Sequence, residues 1–199
     1  VARTGAHIVG IDRSLPMLAR ARRRLRRARL RAALIRGDIR QLPFRRRTRF
    51  DLVMAPYGML QSLTSDRDLC QTLDAVASVL RRGGLFAIDL VPDLPRWAEY
   101  DRRVSLSGRR GRGEIRLTES VRQDRAKGLT IFDQEYVERR GASRTAKRFS
   151  LTFRTITVPQ MRQRLERAGF RIDALLGDYE GGPLDLRADV WIILARRKR

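Results

Sequence analysis

The sequence predicts an α/β fold built on a doubly wound, mostly parallel sheet, and three features carry that prediction. Short, continuous apolar runs such as Ile8 to Ile11, Phe50 to Ala55 and Leu85 to Val91 recur along the chain, as strands buried on both faces do. Between them lie segments whose apolar residues are spaced for one face of a helix. From about Val104 to Ile156 the pattern changes to apolar–polar alternation with regularly placed glycines, which marks antiparallel strands with one wet face.

Taken in order, residues 7–12 (HIVGID) read as the first buried strand, ending in an acid. Ser14 is a helix N-cap candidate with Pro16 in the first turn, and Leu18, Ala21, Leu25 and Ala28 form the inward stripe of that helix. Residues 32–37 form a strand ending at Gly37-Asp38, and Leu42 to Phe44 form a turn. Phe50 to Ala55 is a strand stopped by Pro56. A helix from about Asp66 to Leu80 turns Leu69, Leu73, Val76 and Leu80 inward, and Gly83 and Gly84 are expected to supply its C-cap and turn. Leu85 to Val91 completes a β-α-β-β-α-β rhythm, the signature of a parallel sheet. Beyond the alternating stretch, residues 158–168 form a helix and Phe170 to Leu176 a strand. The segment DYEGGPLD is a loop, and Val190 to Ala195 closes the sheet as an antiparallel hairpin strand. The expected organisation is a core of residues 1–92 and 156–199, with residues 93–155 inserted as an antiparallel β-meander that covers the site.

Composition narrows the chemistry. The chain has 199 residues, one cysteine (Cys70) and one histidine (His7). An internal disulfide and a Cys/His zinc centre are therefore excluded. A nucleophile–histidine mechanism would have to use His7. That residue lies roughly 16 Å from the carboxyl tip of its strand at about 3.3 Å per residue, and ligands of open α/β sheets bind at such tips. The net charge of +22 comes almost wholly from arginine, and such basicity raises a nucleic-acid partner as a candidate. The arginines run from Arg3 to Arg199, so solvated faces are the preferred reading. On that reading RARRRLRRARLR is the outer face of a helix and GRRGRG (108–113) a hairpin turn. No run of about 18 uncharged apolar residues exists, so no transmembrane helix is expected. The chain begins at Val1 with no signal-peptide pattern, and a cytoplasmic location is the default expectation.

Three strand ends carry the ligand chemistry: Asp12, Gly37-Asp38 and Ala55-Pro56. An acid after one strand can accept charge-assisted hydrogen bonds from two ribose hydroxyls. An acid just past a glycine on the next strand can accept from an adenine amino group, with Gly37 allowing close backbone approach. Ile39 and Met17 are placed to cover the two faces of the base. A nicotinamide-binding oxidoreductase also needs the first acid, but it requires neither Gly-Asp after the next strand nor an antiparallel terminal hairpin.

The joint pattern resembles class I S-adenosylmethionine-dependent methyltransferases. HIVGIDRSLPMLARAR resembles the second motif of that family and LIRGDIRQLPF its adenine-binding motif. FDLVMAPYGMLQSL resembles its fourth motif, and LDAVASVLRRGGLFAIDL its helix, glycine turn and fifth strand. The resemblance implies a Rossmann-like sheet and S-adenosylmethionine as cofactor. It further implies Asp12, with Arg13 beside it, at the ribose, and Gly37, Asp38, Ile39 and Met17 at the adenine. Ala55, Pro56 and Tyr57 would line the methionine end. Tyr57, Gln61 and Asp89 would border the acceptor, and Tyr57, Asp89 and Tyr179 are the candidate bases or orienters. Trp97, Tyr100, Arg154, Tyr179 and Glu180 are candidates for the acceptor pocket. The first motif of the family, a strand followed by a glycine-rich loop, has no counterpart in the sequence. The expectation is a fragment with impaired cofactor binding, in which two core strands are left apart or forced to pair directly.

The implied reaction is in-line displacement at a methyl group, with a small metabolite as acceptor and an amine, an acidic oxygen or a carboxylate as its nucleophile. The oligomeric state is open, with a dimer as one option. The alternative is a non-catalytic, arginine-rich nucleic-acid-binding protein on a degenerate methyltransferase scaffold.

Overall fold

The computed structural model describes residues 2–45, 47–92, 99–111, 113–185 and 187–198. The core contains β1 (Val9–Asp12), α1 (Leu15–Arg27), β2 (Ala33–Arg36), β3 (Phe50–Ala55), α2 (Asp66–Val79) and β4 (Leu80–Leu90). An inserted sheet follows, formed by β5 (Tyr100–Arg110), β6 (Gly113–Asp124), β7 (Leu129–Arg140) and β8 (Ser143–Arg154). The chain then returns to the core as α3 (Val158–Arg167), β9 (Phe170–Leu176) and β10 (Trp191–Arg197). No helix among the described residues is long and apolar enough to cross a membrane.

Local signals set the helix starts. Ser14 Oγ accepts the Met17 N–H and Ser65 Oγ accepts the Asp68 N–H, each satisfying a donor that the first turn leaves open. Thr157 and Gln160 form a reciprocal capping box on α3. α2 then buries Leu69, Leu73 and Val76, and α3 buries Val158, Met161 and Leu165. Both faces meet Phe86, Ile88, Leu90, Phe170 and Ile193 in one cluster. The Phe86 and Phe170 rings lie 5.7 Å apart inside it.

The strand order of the main sheet is β3-β4-β10-β9. β3 pairs parallel with β4, while β10 pairs antiparallel with β4 and β9. Thus the terminal hairpin closes the sheet. β1 and β2 pair parallel with each other, Asp12 opposite Arg36. They form a separate two-stranded sheet, and no ladder joins β1 to β3. On β3, Leu52 and Met54 remain 42% and 44% exposed, unusual for a strand with so apolar a sequence.

Gly83 and Gly84 do not cap α2, contrary to the expectation above. The helix ends at Val79, Leu80 is already extended (φ −76°, ψ 143°), and β4 begins there. The glycines instead lie where the β3–β4 register slips, from Phe50 opposite Leu80 to Leu52 opposite Leu85. Gly83 takes a φ of +71°, and a Cβ on Gly84 would meet the Arg81 carbonyl oxygen at 2.9 Å and that of Phe50 at 3.2 Å. The pair therefore serves a bulge, which needs the same backbone freedom as a helix C-cap.

The inserted sheet is antiparallel in the order β5-β6-β7-β8. The register puts Leu117 opposite Tyr136, Val121 opposite Phe132 and Phe132 opposite Leu151 on one apolar face. The other face carries ion pairs such as Arg122–Asp133 and Arg148–Glu135.

Replacing Gly84 by Ala should destabilise the protein by about 1–3 kcal/mol in urea denaturation, because two of the crowding atoms are backbone carbonyl oxygens that cannot swing aside. Gly108→Ala, where no atom lies within 4 Å, should change stability by no more than about 0.5 kcal/mol.

Candidate active site

Two clusters of polar groups lie at carboxyl ends of the core strands. The first is at β1 and β2. The Asp12 carbonyl accepts the Gly37 N–H at 3.2 Å, which ties the two strand ends side by side. Asp12 Oδ1 accepts the Ser14 N–H at 2.8 Å. A Cβ on Gly37 would stand 3.1 Å from Pro43 and 3.3 Å from Ile11, so the missing side chain makes room for the protein's own packing, not for the approach of a base expected from the sequence. Arg36 Nε donates to the Arg13 carbonyl at 3.3 Å. Met17 is exposed on the first turn of α1, and Ile39 is half-buried.

The Asp38 carboxylate is held by Arg40. It accepts the Arg40 backbone N–H at 2.9 Å and its guanidinium at 2.7 to 3.2 Å. These hydrogen bonds bring its pKa down to about 2. Arg40 also donates to Asp68 of α2 at 3.0 Å, joining the β1–β2 unit to the main core. Arg40 escaped the sequence reading. The Asp-x-Arg spacing in GDIR was its only local signal, and the Asp68 partner lies 28 residues away.

The second cluster is at β3 and β4. Ala55 ends β3 fully buried, and the chain passes through Pro56 into Tyr57 and Gly58, both left-handed with φ of 63° and 60°. A bulky residue in that region costs about 1–3 kcal/mol, yet Tyr57 adopts it with 89% of its surface exposed. The turn is held by Asp89 of β4, itself only 4% exposed. Asp89 Oδ1 accepts the Gly58 N–H at 2.6 Å, and Oδ2 accepts the Tyr179 hydroxyl at 2.5 Å. The bond to Asp89, with burial and the Asp89 charge, pushes the Tyr179 phenol up to about 12. Tyr179 is therefore neutral near pH 7, and both Asp89 oxygens are engaged. The pair is built to hold a loop.

A cavity of about 130 Å³ opens between this turn and the inserted sheet. Tyr57, Gln61 and Val91 line its core side, and Thr130, Phe132 and Phe153 its sheet side, with Arg154 at the junction. The structure thus brings together Tyr57, Gln61 and Arg154 of the residues expected near the acceptor. Arg154 pairs with Asp66 at 2.8 Å, an acid it shares with Arg164. Tyr100, Tyr179 and Glu180 are not among the lining residues. Tyr100 donates to Glu119 at 2.5 Å, and its phenol is pushed up to about 12 by burial first and this bond second. Glu180 donates its backbone N–H to Asp178 within the β9–β10 loop. Trp97 lies outside the described residues. Val91, Thr130, Phe132 and Phe153 were missed. Alternation puts each on a strand face, but the register that gathers them is a tertiary property.

Residues 1–84 match the protein family described as a methyltransferase domain. The whole chain has the fold of S-adenosylmethionine-dependent methyltransferases. The CcbJ methyltransferase from Streptomyces caelestis superposes with a TM-score of 0.79 at 15% identity, over 100% of this chain and 77% of that one. A sugar N-methyltransferase from Streptoalloteichus sp. ATCC 53650 gives 0.75 at 16% identity, over 96% and 71%. An amino pentose methyltransferase from Micromonospora echinaspora, solved with S-adenosylmethionine bound, gives 0.69 at 18% identity, over 96% and 74%. At these identities the likeness is one of fold. No curated protein matches the sequence.

Tyr179 and Tyr100 are both held neutral above their ordinary pKa of 10.0. Their contribution to stability should be complete below pH 10 and be lost as the pH rises through about 12. Tyr179→Phe should flatten part of this alkaline loss in melting temperatures measured from pH 8 upward. A slope unchanged in both Tyr179→Phe and Tyr100→Phe would contradict the assignment.

Proposed function

We propose that the protein transfers a methyl group from S-adenosylmethionine to the nitrogen of a small amine. The observation that carries this reading is the cavity beside Tyr57 at the carboxyl edge of β3 and β4. Its lining is mainly apolar, and none of the described lining residues is a carboxylate or a histidine that could serve as general base. A hydroxyl acceptor would need one. Tyr179 is a neutral phenol bonded to Asp89, Asp89 is engaged at both oxygens, and His7 precedes β1, at the end opposite Asp12. An amine can enter as the free base after losing its proton to bulk water, attack the methyl as the carbon–sulfur bond breaks, and release the surplus proton of the methylated ammonium to solvent. The name of one similar structure, a sugar N-methyltransferase, favours the same nucleophile.

The first cluster suits the cofactor. Asp12 would hold the ribose hydroxyls, Asp38 and the backbone at Ile39 the adenine edge, and Met17 and Ile39 its faces. Arg40 would share Asp38 with the adenine amino group. Ala55 to Tyr57 would border the methionine end. When bound, the cofactor supplies an electrophilic methyl on a sulfonium. The protein's own part would be positional: the cavity walls would orient the amine toward that methyl, and Phe132 and Phe153 would keep water out. The separation of β1 from β3 bears on this reading. It supports the view that full cofactor affinity needs a further strand between them, which the described residues do not supply.

The test is a mass-spectrometric screen with S-adenosylmethionine against small primary and secondary amines, hydroxylated analogues, RNA and protein. Methylated amine is the expected product. Methylation of RNA or protein alone, or of hydroxyls in preference to amines, would overturn the reading.

A further inference from the structure

Gln61 does more than line the cavity. It sits in a short 3-10 helix, Met59–Ser62, and is only 5% exposed. Its Oε1 accepts the Val91 N–H at 2.8 Å, and its Nε2 donates to the Val91 carbonyl at 3.1 Å. The same Nε2 donates to the Arg154 carbonyl at 3.2 Å. Val91 directly follows β4, where the chain leaves the core for the inserted sheet, and Arg154 ends β8, where it comes back. One carboxamide therefore clasps both connections of the inserted sheet at a single point. The second tie at this junction, Asp66 with Arg154 and Arg164, rests on a carboxylate whose side chain is 62% exposed, so solvent and salt weaken it. The Gln61 bonds are shielded from both, and shielding strengthens them.

We propose that Gln61 is a positioning residue: its side-chain amide fixes the inserted sheet against the carboxyl edge of the core and thereby sets the width of the cavity. The amide has two N–H groups and a carbonyl, and two carbonyls with one N–H face it. Glutamate has the same length but no N–H when ionised, and it would turn a negative oxygen toward two carbonyl oxygens. The role holds whatever the acceptor is, so a wrong choice of acceptor leaves it standing.

The experiment is pulsed electron paramagnetic resonance on the full chain. Spin labels go on cysteines at exposed positions 74 of α2 and 143 of β8, with Cys70→Ser. In Gln61→Glu the label–label distance distribution should broaden about twofold or more, as for a loosened hinge. An unchanged distribution, even with a lowered melting temperature, means that Gln61 is only a packing residue, and it overturns the proposal. Asp66→Asn covers the case in which Gln61→Glu does not fold. It should leave the distribution close to that of the parent. Broadening in Asp66→Asn would assign the anchoring to the ion pair, against the proposal.

Discussion

The backbone ladder across the core stops between β1 and β3, and much of what distinguishes this protein follows from that break. β3, β4, β10 and β9 share one set of hydrogen bonds and β1 with β2 another. Strand edges satisfy their N–H and C=O groups either by pairing or by facing water. Here the outer edge of β3 is unpaired among the described residues, and Leu52 and Met54 stay accessible beside it. The ion pair from Arg40 to Asp68 crosses between the two units, with both partners partly exposed. The acids suited to the nucleoside, Asp12 and Asp38, belong to one unit. The Tyr57 turn suited to the methyl group belongs to the other. On the proposed reading a cofactor would bridge them, and its affinity would depend on how firmly the units are registered.

Within the larger unit, buried polar groups take over the ordering. Asp89 uses both oxygens to hold a left-handed turn and a distant loop, and Gln61 uses its whole amide to hold the inserted sheet. Each lies where an unpaired polar group would be costly, so each fixes its surroundings to one geometry. The strain at Tyr57 persists because Asp89 bonds the next residue. A site that acts by positioning has use for such rigidity, since a methyl transfer tolerates little misalignment.

The sequence made the secondary structure legible where a single local signal decides it. The strands Phe50–Ala55 and Phe170–Leu176 match the structure end for end, because apolar runs there are cut by proline or glycine. The Gly83-Gly84 pair was misread because a helix cap and a bulge demand the same backbone freedom, and only the β3 register tells them apart. Asp12 and Asp38 could be placed at neighbouring strand ends from the β-α-β spacing alone. Their partners could not. Arg40 with Asp68, Asp89 with Tyr179, and Gln61 with Arg154 are separated by 28, 90 and 93 residues. Such pairs are set by packing, to which local patterning is blind.

The measurement closest to the central claim is calorimetric titration of S-adenosylhomocysteine into two chains: the 199 residues as they stand, and the same residues preceded by one βα unit of about 40 residues. If the break between β1 and β3 limits the site, the shorter chain should bind weakly and the longer one about tenfold or more tighter, a gain of about 1.4 kcal/mol. Asp12→Ala should remove most of that gain. Equal, tight binding by both chains would contradict the account.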